Sequence, residues 1–283
     1  MTKPSGRPID FLIIGAAKCA TTWEQQSLSA SPGIFMPAPE LHFFSRVYDR
    51  GFDWYRDQFA SAASTDLIGE KSNSYLTEPA AAQRIKDAYP DARLIVQMRN
   101  PVQRAYSDYC MLFRRGEVSG DIDRHLNPDR AGQERFLHDG RYAHHLDRFY
   151  ALFPADQILL LAFENVATDP TRQLALVADH IGYGGVLSAP LREKVKDKEA
   201  PVVPRGLRKV LAPLRPILDP IRESTPMKAL RNAVARPVSY PALTPDLERK
   251  MTDYFRDDVD KLRAVAPDVV ARWDQQFGSD SKG

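Results

Sequence analysis

Cysteine is scarce: Cys19 and Cys110 are the only two in 283 residues. That is too few for a disulfide framework and fits a reducing compartment. Long apolar runs are missing as well, and none approaches the roughly 18 residues of a membrane helix. The N-terminal stretch Phe11-Leu-Ile-Ile-Gly-Ala-Ala17 is bracketed by Asp10 and Lys18 and is too short for a secretory signal core. The expectation is a cytoplasmic protein without membrane insertion. Charge of one sign is not in excess either: 39 Lys+Arg stand against 37 Asp+Glu, a formal net charge of +2. This argues against a nucleic-acid partner. Metal-ligand spacings are also absent, with no His-Glu-x-x-His, no paired Cys-x-x-Cys and no acidic loop of the right period. His125, His138, His144, His145 and His180 form no ligand spacing with one another, so no metal is expected.

What is present is an ordinary globular composition, 43% apolar and 27% charged, with length enough for a large buried core. Asp10–Ile14, Leu67–Gly69, Arg93–Met98 and Gln157–Phe163 read as short buried strands, with a further short Ile34–Met36 strand. Between them run helical patterns at 22–29, 78–89, 102–114, 142–153 and 170–181. Such alternation implies right-handed crossovers and a central parallel sheet flanked by helices. The fold class is therefore α/β, three-layered and P-loop-like, and residues 1–283 are read as one domain. Residues 115–141, polar and Gly-containing, read as a lid. Residues 201–240 hold seven prolines and eight Lys/Arg, and read either as a solvated connection or as a cationic wall beside an anionic ligand. A last helix opens at Thr244-Pro245, a cap followed by Pro at the first helical position. Its Leu247, Met251, Phe255, Val259 and Leu262 share a face that should pack on the core.

Open α/β sheets bind ligands beyond the carboxyl ends of their strands. After the first strand comes Gly15-Ala-Ala17-Lys18-Cys19-Ala20-Thr21-Thr22-Trp23. A loop of small residues entering a helix offers backbone N–H groups and a positive dipole end to a phosphate, with Lys18 adding a point charge. It is not a Walker A loop, because Lys18 precedes the threonines by three and a second glycine is missing; no dinucleotide Gly-x-Gly-x-x-Gly occurs either. Cys19 at the helix start is a candidate for a lowered thiol pKa, or simply a small residue that fits. After the third strand, Arg99 sits where the strand stops and Pro101 starts a helix on which Arg104 and Ser107 share a face. The two loops together suggest a ligand carrying two separate phosphates.

Ala17-Lys18-Cys19-Ala20-Thr21-Thr22-Trp23 resembles the 5′-phosphosulfate loop of sulfotransferases that use 3′-phosphoadenosine 5′-phosphosulfate (PAPS). Arg99-Asn-Pro-Val-Gln-Arg-Ala-Tyr-Ser107 is similar to their 3′-phosphate motif. The likeness extends through Glu40-Leu-His42-Phe-Phe44, Glu70-Lys71-Ser-Asn-Ser-Tyr75, Gly140-Arg-Tyr142 with His145-Leu146, and Phe163-Glu164-Asn with Asp169-Pro170. It spans roughly residues 10–183 and points to the heparan-type and bacterial members. The resemblance implies PAPS as sulfuryl donor and no metal. Lys18 would stabilise the leaving group while Thr21, Thr22 and the loop amides hold the 5′-phosphate. Trp23 would stack on adenine, and Arg99 and Ser107 would take the 3′-phosphate. Glu40 would act as general base with His42 as helper, although Pro39 stands where the family often has Lys. Lys71 and Tyr75 would line the acceptor side, and Arg205 would close over the 3′-phosphate.

The implied reaction is sulfuryl transfer to a hydroxyl, or else an amino group, of a carbohydrate, glycolipid or small natural product, even one tethered to a carrier protein. Two rivals remain: a Mg-dependent nucleotide kinase or NTPase on a related sheet, and a non-catalytic nucleotide-binding module.

Overall fold

The computed structural model describes residues 7–131, 134–190 and 238–278. From the N-terminus, β1 (Phe11–Gly15), α1 (Thr21–Ser29), β2 (Ile34–Phe35), α2 (Gly51–Asp57), β3 (Leu67–Lys71), α3 (Ala81–Ala88), β4 (Arg93–Met98) and α4 (Pro101–Arg115) alternate. Three short helices follow, α5 (Ile122–Leu126), α6 (Pro128–Ala131) and α7 (Arg135–His138), then α8 (Tyr142–Tyr150) and β5 (Ile158–Ala162). The chain continues through α9 (Asn165–Thr168) and α10 (Pro170–His180), and the described part ends with α11 (Pro245–Arg263), α12 (Pro267–Val270) and α13 (Asp274–Phe277).

The five strands form one sheet in the order β2-β3-β1-β4-β5, and every pairing is parallel. Both faces are covered because both sets of alternating side chains are apolar. Leu12, Ile14, Leu94 and Val96 join one core cluster, while Phe11, Ile13 and Ile95 join the other. Residue 69 must be glycine here: a Cβ on it would lie 2.1 Å from the Phe11 ring across the β1–β3 register. From β1 the chain crosses to the edge strand β2, returns to β3 beside β1, and then crosses to β4 and β5 on the other side. The switch point therefore lies at the carboxyl ends of β1 and β4, where such sheets open a crevice.

The strands fall where the apolar runs predict them, but three other features depart from the sequence reading. The helix expected at 78–89 is trimmed to Ala81–Ala88. A helix outside the helical patterns read from the sequence, α2, is held by stacking of Tyr55 on Phe43 at 4.4 Å between ring centroids. The supposed lid folds into α5 to α7 instead. Leu126, Phe136 and Leu137 are buried in the main core, so this stretch belongs to the body, its polar residues masking three short apolar contacts. The basic stretch at 201–240 lies, up to residue 237, outside the described residues, as does Arg205.

Thr244 caps α11, accepting from the Leu247 N–H at 3.3 Å, and Leu247, Met251, Phe255, Val259 and Leu262 are all buried. Asp258 on the same helix accepts from the Ala143 and His144 N–H groups, both at 3.0 Å. It thus caps α8, which lacks a cap of its own. Among the described residues, no helix is long and apolar enough to cross a membrane.

Candidate active site

The β1–α1 loop turns on two left-handed residues that are not glycine, Lys18 (φ 70) and Ala20 (φ 61). Such conformations cost about 1–3 kcal/mol each and persist where surrounding contacts hold them. Here the contacts come from below. Gln97, a buried amide inside apolar β4, donates to the Cys19 carbonyl and accepts from Gln173 Nε2 at 2.9 Å. Ala20, at the start of α1, offers no side-chain cap, so the helix presents its first turn and dipole to whatever sits above the loop. Lys18 Nζ contacts Met111 Sδ of α4 at 3.6 Å. Cys19 is fully buried, and burial pushes its thiol up to about 11. Desolvation outweighs the Arg104 and Arg99 charges that favour the thiolate, so of the two readings of Cys19 the small residue that fits agrees with the structure.

Three segments meet above this loop. Glu40 leaves the strand-β2 side, Lys71 and Asn73 leave β3, and Thr21 and Thr22 open α1. Lys71, 3% exposed, pairs with Glu40 Oε1 at 2.9 Å and donates to Thr22 Oγ1 at 3.3 Å. Asn73 donates to Glu40 twice, from its backbone at 3.0 Å and its side chain at 3.3 Å. Thr21 Oγ1 donates to Asn73 Oδ1 at 2.9 Å. Gln25 of α1 donates to the carbonyls of Pro37 at 2.9 Å and Ala38 at 3.3 Å, tethering the segment that carries Glu40. His42 Nε2 stands 3.8 Å from Glu40 Oε2. Burial and the charge of Arg46 hold the His42 imidazole below its usual range, opposed by Glu40.

At the end of β4, the Arg99 guanidinium lies over the Phe163 ring, 4.6 Å from its centroid. Asn100 caps α4 by accepting from Val102 and Gln103, and its N–H donates to Glu164 at 3.2 Å. Ser107 is half-buried on α4. Trp23 is half-buried against the second core cluster, as an aromatic with one face packed and one free would be.

Lys18, Thr21, Thr22, Glu40, His42 and Lys71 are thus gathered around one loop. Tyr75 is not. Its hydroxyl is buried and donates to Glu70 Oε1 at 2.7 Å, so it faces the core and does not line the cleft; its aromatic ring found apolar neighbours below the sheet end. Asn73, Gln25 and Gln97 escaped the sequence reading. Gln97 left one signal, a polar residue in the middle of an otherwise apolar strand.

His138, His144 and His145 also come together, each with a ring nitrogen within 4.8 Å of the others. His145 uses both its nitrogens: Nε2 lies 2.9 Å from the His138 carbonyl and Nδ1 3.1 Å from Arg148 Nη2. Burial holds that imidazole neutral, down to about 3. His144 is exposed and His138 half-buried, and with both nitrogens of His145 engaged and the Arg141 and Arg148 charges nearby the trio is poorly suited to a cation.

A family model described as "Sulfotransferase family" matches residues 58–184. Mouse heparan sulfate glucosamine 3-O-sulfotransferase 6 is 32% identical over 191 residues, covering 62% of this chain and 53% of that protein. Human bifunctional heparan sulfate N-deacetylase/N-sulfotransferase 3 is 34% identical over 191 residues, covering 61% of this chain and 22% of that protein. The chain spans about half the length of the curated 3-O-sulfotransferases it matches. Among solved structures, a sulfotransferase from Alicyclobacillus acidocaldarius superposes with a TM-score of 0.66 at 26% identity, covering 92% of this chain and 96% of that one. Mouse sulfotransferase SULT7A1, solved in complex with PAP (3′-phosphoadenosine 5′-phosphate), shares the fold with a TM-score of 0.52 at 14% identity, covering 95% and 90%.

Proposed function

We propose that the chain, whose residues 58–184 match the sulfotransferase family model, transfers a sulfuryl group from PAPS to a hydroxyl of a carbohydrate, glycolipid or small natural-product acceptor. The observation that carries this reading is the Lys71 bridge. It links Glu40 at 2.9 Å to Thr22 of the small-residue loop at 3.3 Å, so a candidate base and a candidate phosphate cradle are one unit.

In this reading the loop amides, Thr21 and Thr22 hold the 5′-phosphate, and Arg99 with Ser107 take the 3′-phosphate. Glu40 accepts the acceptor's hydroxyl proton, and the freed oxygen forms a bond to sulfur. The bond from sulfur to the 5′-phosphate oxygen breaks, and its electron pair leaves with PAP. Lys18 stabilises that developing charge. Asn73 and Lys71 keep Glu40 oriented, which is the positioning on which such transfers depend. A hydroxyl-bearing glycan is the first acceptor class to try, given the 3-O-sulfotransferase relatives. An amino acceptor is the second reading, favoured by the likeness to an N-sulfotransferase.

The test is calorimetric titration with PAP against ATP and 5′-AMP, with and without Mg, followed by transfer of labelled sulfuryl from PAPS to desulfated oligosaccharides. Mg-independent PAP binding, lost in Arg99→Ala, is the expected result. A preference for ATP with Mg would replace this reading by a nucleotide kinase, and PAP binding without any transfer by a binding module.

A further inference from the structure

One buried polar cluster lies just outside the groups assigned so far. Glu70 of β3 is fully buried. Its carboxylate accepts from three hydroxyls: Tyr55 at 2.5 Å, Tyr75 at 2.7 Å and Ser72 at 2.5 Å. All three hydroxyls donate to it, and these bonds favour its ionised form against the burial that raises its pKa. The single proton of Ser72 is therefore committed to Glu70, and its lone pairs are left for the His42 N–H at 2.8 Å.

His42 is an unusual residue to hold. It is left-handed (φ 53) without being glycine, a conformation that needs support. Its carbonyl accepts from Arg46 N–H at 2.8 Å and Ser45 Oγ at 3.1 Å, and its ring Nδ1 lies 2.7 Å from Ser74 Oγ. Ser74 in turn meets Ser45 at 2.7 Å. The N–H, the carbonyl and the ring of His42 are each held by a different serine, and the hydroxyl of the first is held in place by Glu70.

We infer that Glu70 is a positioning residue for the Glu40–His42 pair: by binding the Ser72 hydroxyl proton it fixes the Ser72 rotamer with its lone pairs toward the His42 N–H, and so holds the turn that brings His42 to Glu40. The inference rests on the reading of Glu40 and His42 as the acceptor-side pair. A purely structural network would hold the core together and leave this turn unaffected.

The variants are Ser72→Ala, which removes the link while leaving Glu70 its two tyrosine donors, and Ser72→Thr, which keeps the hydroxyl. Glu70→Gln, which weakens the acceptor without changing the shape, is the companion should Ser72→Ala fold poorly. In Ser72→Ala, kcat should fall about tenfold, the scale of one buried hydrogen bond, with PAP affinity within twofold of the parent. The His42 ring, followed by NMR titration, should move up toward its ordinary range of 6.5 as the turn loosens and the imidazole gains solvent. Ser72→Thr should restore both readouts, and Glu70→Gln should shift them in the same direction by less. A lowered melting temperature with unchanged kcat and unchanged His42 titration would overturn the proposal. The NMR readout needs no turnover, so it decides the role of Glu70 even if the sulfuryl-transfer reading fails.

Discussion

The Tyr142 hydroxyl donates to the Arg99 carbonyl at 2.8 Å and accepts from the Arg99 N–H at 3.4 Å, while standing 3.7 Å from Cys19 Sγ. One buried phenol from α8 therefore ties the end of β4 to the loop after β1. The separation of the two candidate phosphate sites is held by this contact, with Gln97 supporting the same loop from beneath. Tyr142 also packs near Trp273, 6.1 Å between ring centroids, so it is itself fixed by the C-terminal helices.

Tyr142→Phe keeps the ring and removes the link. We expect a stability loss of about 1 kcal/mol, the net scale of one buried hydrogen bond. PAP binding should weaken several-fold, because two anion sites must be in register for one ligand, whereas 5′-AMP, which lacks the 3′-phosphate, should lose less. Calorimetry with both ligands checks this. Equal losses for the two would mean that Tyr142 supports the fold and not the spacing.

Lys18→Ala tests the leaving-group assignment. The Lys18 ammonium, on the loop that faces the candidate 5′-phosphate site, contacts the Met111 thioether at 3.6 Å. If it stabilises charge that develops only during transfer, kcat should fall by about 10²–10³ while PAP affinity changes by less than tenfold. Near-normal turnover with intact PAP binding would remove Lys18 from the mechanism.

The sheet was legible because β1 and β4 are apolar on both alternating faces, a pattern that parallel strands buried on both sides require. The loop after β1 was legible because small residues, a lysine and threonines follow at a strand end. The pairing of Glu40 with Lys71 was not, since it joins residues 31 positions apart through the paths of two loops, and no local spacing encodes it. Tyr75 was misplaced for a related reason. It follows Lys71 in the chain, yet its hydroxyl finds Glu70 inside the core, and sequence proximity to a site residue says nothing about which way the chain then turns. The three-residue grip on His42 needed coordinates, because serines are common on surfaces and their partners here come from two separate segments.

Gln25→Leu tests whether the Glu40 segment is tethered from α1. The Gln25 carboxamide is buried and serves the Pro37 and Ala38 carbonyls. Leucine fits the volume but leaves those carbonyls without their donor, at a cost of about 1–3 kcal/mol. We expect kcat to fall with KM for PAPS nearly unchanged, because the displaced group serves the acceptor. A rise in KM for PAPS without loss of kcat would place the Gln25 contact on the donor side instead.

Glu24→Gln should make the protein more stable in mild alkali. Glu24 lies on α1, fully buried, and neither carboxylate oxygen has a hydrogen-bond partner among the described residues. Burial pushes its carboxyl up from 4.5 to about 8, with the Lys71 charge opposing. The folded state therefore binds more protons than the unfolded chain between those two values, so stability falls as pH rises through that window. The full contribution is present below about pH 4.5 and is lost by about pH 8, a change on the order of a few kcal/mol at 1.36 kcal/mol for each pH unit. Glutamine cannot ionise, so melting curves of the variant should stay flatter from pH 5 to 9 and cross above the parent near pH 8. Parallel curves for the two proteins would show that Glu24 finds a partner when charged, and Lys71, whose charge already opposes the upward shift, is the cation to examine then.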